Sequence, residues 1–200
     1  MNIPEVYRLL CTGELTMAFD TNALFSNQRF RKLCNNINRI KDCDDKYQFN
    51  LVVPAPAHAE KLHDLKQQYQ ERYDFSEIIK GLTYKGISIA SFEPHHADVV
   101  ANLVGKQFPT TQAWCTFKRN RCIACLGLNT DKVTHIQGKG KTCGATIDWL
   151  IAGYAEAEGC LLITGDTREE FKGIRKTTLE DLEVAIEQLL TETIMIEKNR

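Results

Sequence analysis

Residues 144–171 read GATIDWLIAGYAEAEGCLLITGDTREEF. A run of Ala, Gly and apolar side chains long enough for a helix carries one acid, Asp148, near its start. A short unbroken apolar run then ends in Thr164, Gly165 and Asp166. Amphipathic or small-residue helices alternating with buried strands are the unit of α/β proteins, so this stretch sets the fold. Outward from it, "LTMAF" (15–19), "NLVVP" (50–54) and "GISIASF" (86–92) are further apolar runs bounded by turn or polar residues, like "CLLITG" (160–165). Segments of helical period separate them, at 26–42, 56–72, 96–106, 112–127 and 144–158. A last one, "TTLEDLEVAIEQLL", begins with Thr177 and Glu180 in capping-box spacing. The pattern predicts a single three-layer α/β domain with a mainly parallel central sheet flanked by helices. In such sheets ligand sites form beyond the carboxyl ends of the strands.

Composition bounds the function. Two hundred residues, 43% of them hydrophobic, suffice for a sizeable core without disulfides. The 25 basic and 26 acidic residues leave a formal charge of −1, so a polyanion would have to be held by local patches. Candidate patches are Arg29, Arg31 and Lys32; Lys118, Arg119 and Arg121; Lys139 and Lys141; and Lys172, Arg175 and Lys176. Each reads equally as solvated surface. The first residues, "MNIPEVYRLLCTGEL", carry charges through any apolar stretch, and no run reaches the roughly 18 residues of a membrane span. A cytoplasmic protein is expected, its eight cysteines serving as thiols or metal ligands.

The strand ends gather acids. Asp20 and Asn22 follow "LTMAF", Asp166 follows "CLLITG", and Glu60 and Asp148 lie in the opening turns of helices. Singly, each has a structural reading as a cap, a turn residue or a solvated face. Together, a parallel sheet brings all four carboxylates to one edge. Like charges raise one another's pKa unless a counterion intervenes, and hard oxygen donors suit magnesium or manganese. The set therefore implies a divalent cation.

"AFDTNALF" (18–25), "VVPAPAHAE" (52–60) and the 144–171 segment together resemble the PIN-domain family of metal-dependent ribonucleases, whose bacterial members include VapC-type toxins. The resemblance runs from about residue 15 to about residue 175. It leaves 1–14 as an N-terminal helical extension, 110–143 as a cysteine-containing insertion and 176–200 as a C-terminal helix and tail. By resemblance, Asp20 is the first metal-binding aspartate and Asn22 its polar companion. Glu60 is the acid on the helix after the second strand, Asp148 and Asp166 are the remaining acids, and Thr164 is the hydroxyl that supports the site. The implied reaction is phosphodiester hydrolysis in single-stranded or loop RNA, leaving a 5′-phosphate and a 3′-hydroxyl, with one or two Mg or Mn ions activating water. The implied partners are the RNA substrate, an antitoxin protein and a second copy of the chain in a homodimer.

Cys115, Cys122 and Cys125 fall within an arc of about 80° on a helix, and Cys143 follows. They read either as buried thiols or as a structural zinc site in which Cys115 or His135 completes Cys122, Cys125 and Cys143. "GKGKT" (138–142) lacks the preceding strand and the upstream glycine of a P-loop. His95 and His96 read as a surface pair at a helix start, and His58 and His63 do not share a helix face well enough to chelate. Trp114, Phe117 and Trp149 read as core. Two rival functions stand beside the nuclease. A haloacid-dehalogenase-like phosphatase would need an acid where Asn22 stands. A non-catalytic PIN-like binding module would not need magnesium.

Overall fold

Met17, Ala18 and Phe19 are buried in succession rather than alternately, as expected of a strand covered on both faces. In the computed structural model, which describes residues 1–25, 27–69, 74, 76–125 and 144–198, they belong to the central strand. The strands are β1 (Glu14–Phe19), β2 (Gln48–Pro54), β3 (Ile87–Ala90), β4 (Leu161–Ile163) and β5 (Lys176–Thr177). All pairings are parallel, in the order β3-β2-β1-β4-β5. Register places Met17 beside Leu51 and Leu161, and Phe19 beside Ile163. The chain leaves β1 toward β2 but leaves β4 toward β5, so the switch point of the sheet lies between β1 and β4. A crevice opens at that point beyond the carboxyl ends.

Eight helices among the described residues surround the sheet: α1 (Ile3–Leu10), α2 (Asn27–Cys43), α3 (Ala55–Tyr69), α4 (Ser76–Tyr84), α5 (Pro94–Gln107), α6 (Thr111–Cys125), α7 (Gly144–Ala157) and α8 (Leu179–Lys198). One flanking group comprises α1, α2 and α8; another comprises α3, α5 and α7. Asn2 and Glu5 form a capping box that starts α1, each side chain accepting the other's backbone N–H, at 3.0 and 2.9 Å. Val6 and Leu10 of α1 join the same apolar cluster as the strands and as Leu182, Ile186 and Leu189 of α8. The Tyr7 hydroxyl donates to Glu192 across the α1–α8 contact. Ion pairs from Arg29 to Glu180 and from Lys32 to Glu183 and Glu187 stitch α2 to α8. Two members of that basic patch, Arg29 and Lys32, are therefore engaged in helix packing. Between α5 and α7, Gly153 lets the helices approach so closely that a Cβ there would lie 2.2 Å from Val100 Cγ2.

The structure adds and corrects. The strand β5 and the helix α4 carry no clear signal in the sequence. Helix α8 is capped by Thr178, whose hydroxyl accepts the Asp181 N–H at 3.1 Å. Thr177, expected at the cap, instead closes β5 and accepts the Thr164 N–H through its carbonyl. Sheet pairing has claimed the first threonine and left the second to cap. Among the described residues, no helix is long and apolar enough to cross a membrane.

Candidate functional site

The site begins where β1 stops. The Asp20 N–H still bonds to the Ile163 carbonyl of β4 at 3.1 Å, so Asp20 is held at the sheet edge as the chain turns into a 3-10 segment at Thr21–Phe25. Asp20 is 2% exposed. Its Oδ1 accepts the Thr21 N–H at 2.7 Å, and its Oδ2 accepts the Thr164 hydroxyl at 2.6 Å and the Asn22 amide at 2.8 Å. Thr164 uses its hydroxyl completely, because it also accepts from Asn22 Nδ2 and from the Asp166 N–H, each at 3.0 Å. The Asn22 oxygen in turn accepts the Gly165 N–H at 3.1 Å. A flipped amide would set that oxygen against the Asp20 carboxylate. The strand ends of β1 and β4 are thus locked together by side chains that sequence alone singled out.

Glu60 enters from α3. The Thr21 hydroxyl donates to its Oε2 at 2.6 Å, which ties the acid to the residue after Asp20. Asp148 sits on the first turns of α7, and Asp166 sits beyond β4. Both are held by Arg168. The Arg168 backbone N–H donates to Asp166 Oδ1 at 2.8 Å, and its guanidinium donates to Asp166 Oδ2. The same guanidinium donates to Asp148 Oδ1 at 3.1 Å and places Nη1 2.9 Å from Asp148 Oδ2. Arg121 of α6 lies 3.9 Å from Asp148 and 3.2 Å from Glu170, a carboxylate that is 1% exposed. Neither Glu170 oxygen has an aligned hydrogen bond, nor does Asp148 Oδ2.

Electrostatics joins the four acids into one unit. Burial raises the Asp20 pKa, with the charge of Asp166 adding to it and the hydrogen bonds from Thr164 and Thr21 opposing it. Burial likewise raises Glu60, reinforced by Asp20. Asp148 is pushed up to about 7, first by burial and then by the charges of Glu170, Glu60 and Asp20, against the pull of Arg168. For Asp166, partial burial pushes upward but the hydrogen bonds and charge of Arg168, with Arg121, outweigh it and hold the carboxyl below its ordinary value.

The donors fit a hard divalent cation in kind: four carboxylates, one of them with a buried oxygen lacking a hydrogen bond. They are not drawn into a chelate. Among the described residues, the three ligand atoms within 4.8 Å of one another belong to His95 and His96 of α5 and to Glu158, just past the end of α7 and away from Asp148 at its start. There the expected surface pair is corrected, since His96 is buried against Tyr154 and Phe92. Its Nδ1 accepts the Glu93 N–H at 2.7 Å. In the neutral ring its proton is then on Nε2, which faces Glu158 Oε1 at 2.9 Å. Such a ring is a hydrogen-bond clamp, since a metal would need that nitrogen's lone pair.

A cleft of about 500 Å³ adjoins the site, lined by Asn22, Gly165, Asp166, Arg168, Leu179 and Glu180 among others. Asp20, Glu60 and Asp148 lie outside its lining. Near the cleft, Lys176 donates to the Asp166 carbonyl at 2.7 Å. Trp149 is buried, as expected of a core residue, and Trp114 and Phe117 are half-buried and stack with centroids 5.6 Å apart. Cys115 is exposed on α6. The side chains of Cys122, Cys125, Cys143 and His135, which the zinc reading requires, lie outside the described residues, as do Lys139 and Lys141.

Sequence reasoning missed Arg168 and Glu170. The one available signal was "TREE" (167–170) directly after the Gly165-Asp166 turn, where an Asp side chain that bonds the backbone two residues on brings the next side chain back over itself. Compared with protein-family models and with curated proteins, the chain matches none.

Proposed function

We propose that the chain is a PIN-like nuclease that hydrolyses phosphodiester bonds of single-stranded or loop RNA with Mg or Mn. The observation that carries this reading is the meeting of Asp20, Glu60, Asp148 and Asp166 at the switch point of a parallel sheet, where Thr21 bridges Asp20 to Glu60, Thr164 bridges Asp20 to Asp166 and Arg168 bridges Asp166 to Asp148. Those four side chains would hold the cation, which when bound supplies a water of lowered pKa and neutralises phosphate charge. The remaining parts belong to the protein. Thr164 and Asn22 fix the Asp20 carboxylate, and Thr21 fixes Glu60. Arg121, Arg168 and Lys176 place positive charge around the acids, where flanking phosphates of an entering strand would lie.

The phosphatase reading loses ground at Asn22, whose amide is fully engaged and offers no acid. The binding-module reading has one observation in its favour: Arg168 already neutralises two of the acids. Incubating the protein with mixed RNA, with and without Mg or Mn, decides between them. The nuclease reading expects metal-dependent fragments bearing 5′-phosphates, lost in Asp20→Asn and Asp148→Asn variants that remain folded. Cleavage unchanged in both variants, or absent from the wild type with either metal, defeats it.

A further inference from the structure

We infer that Arg168 is a built-in counterion that competes with the divalent cation of the proposed nuclease site, so that the cation and the inward guanidinium exclude one another. The geometry is explicit. Three of the four carboxylate oxygens of Asp148 and Asp166 accept N–H groups of this one residue, and the fourth lies within ion-pair distance of it. Asp166 Oδ1 takes its backbone N–H at 2.8 Å, Asp166 Oδ2 its guanidinium and Asp148 Oδ1 its Nη2 at 3.1 Å, while Asp148 Oδ2 lies 2.9 Å from its Nη1 without an aligned hydrogen bond. The hydrogen bonds to Asp20 and to Glu60 Oε2, by contrast, come from neutral donors. The acids therefore divide into a pair oriented by hydroxyls and amides and a pair neutralised by a cationic side chain.

One positive charge serves two carboxylates here, and a divalent ion would serve them better if the guanidinium withdrew. Withdrawal is sterically open, because Arg168 remains 39% exposed and lines the cleft beside the site. Arg121 cannot take its place, since it lies 3.9 Å from Asp148 and is already drawn to Glu170 at 3.2 Å. Arg168 thus keeps the metal-free site from flying apart by charge repulsion, and it opposes metal entry by occupying the oxygens that metal needs. Once displaced into the cleft, the same guanidinium faces the side from which a phosphate would approach.

The inference rests on the nuclease reading for its cation and is tested by binding rather than by turnover. Mn²⁺ is titrated calorimetrically into the wild type, Arg168→Met and Arg168→Lys, with circular dichroism to show that each is folded and thermal melts taken without metal. Competition predicts that Arg168→Met binds Mn²⁺ about tenfold more tightly than the wild type, as mutually exclusive occupants of one site should. It predicts that Arg168→Lys lies between them and that the metal-free Arg168→Met melts below the wild type at pH 7.5, a loss that Mn²⁺ restores. Equal or weaker Mn²⁺ binding by Arg168→Met, with the wild type still binding, overturns the inference and leaves the nuclease reading standing. Failure of all three proteins to bind Mn²⁺ overturns both.

Discussion

Asp148 tests the electrostatic account most quantitatively. In an unfolded chain an aspartate titrates at about 3.9, whereas here burial and neighbouring acids hold Asp148 at about 7. Below pH 4 both states carry the proton and no penalty exists. Between pH 4 and 7 the unfolded chain loses the proton while the folded one keeps it, so stability falls as pH rises. Above pH 7 the loss levels off near three pH units' worth, about 4 kcal/mol as an upper bound at 1.36 kcal/mol per unit. Asn cannot ionise. The stability of Asp148→Asn minus that of the wild type should therefore climb between pH 4.5 and pH 8 by up to about 3 kcal/mol, on top of whatever pH-independent difference the substitution makes. Urea denaturation at pH 4.5, 6 and 8 without divalent ions measures this slope. Mn²⁺ at pH 8 should stabilise the wild type more than the variant, because an ion relieves the repulsion that Asn has already removed. A difference that stays flat with pH, or that falls as pH rises, would refute the reasoning.

Other expectations follow from single contacts. Arg121→Met strands the buried Glu170 carboxylate; breaking a buried pair in this way should cost about 3 kcal/mol by chemical denaturation. Thr164→Val removes the hydroxyl that donates to Asp20 and accepts from Asn22 and Asp166, and should cost about 1–3 kcal/mol in the same assay. Gly153→Ala forces a Cβ onto Val100 in the α5–α7 contact and should cost about 1–3 kcal/mol by thermal melting. Glu158 is held below its ordinary pKa by hydrogen bonds from His95 and His96. Its contribution is present above the unfolded value near about 4.3 and disappears as pH falls through the folded one. Because the carboxylate is 40% exposed, Glu158→Gln should cost less than about 1 kcal/mol at pH 6, and the cost should shrink as the solution is made more acidic.

What was legible in the chain follows from the reach of each signal. Buried strands announce themselves as apolar runs, and "LTMAF", "NLVVP" and "CLLITG" carried β1, β2 and β4. The two residues of β5 are too few for any pattern; they pair because Leu162 and Thr164 donate to the carbonyls of Arg175 and Thr177. Helix α4 is short and sits beside β3, where tertiary contact rather than a long apolar period supports it. Asp20 and Asp166 were readable because each stands at a strand end and backbone topology brings those ends together, whereas Asn22 and Thr164 took their roles from the family resemblance. Arg168, Glu170 and the buried His96 were not readable, because their roles depend on where long side chains reach across the fold. A charge adjacent in sequence to an acid reads the same whether it turns to solvent or folds back onto a carboxylate.

As proposed, Asp20, Glu60, Asp148 and Asp166 act together as one cation-binding unit. Anomalous diffraction from crystals equilibrated with Mn²⁺ tests it directly. A manganese peak is expected in bonding contact with Asp20 and with at least one of Asp148 and Asp166, accompanied by an Arg168 side chain swung away from those oxygens. No peak among the four carboxylates, or a peak confined to His95 and Glu158, would contradict it.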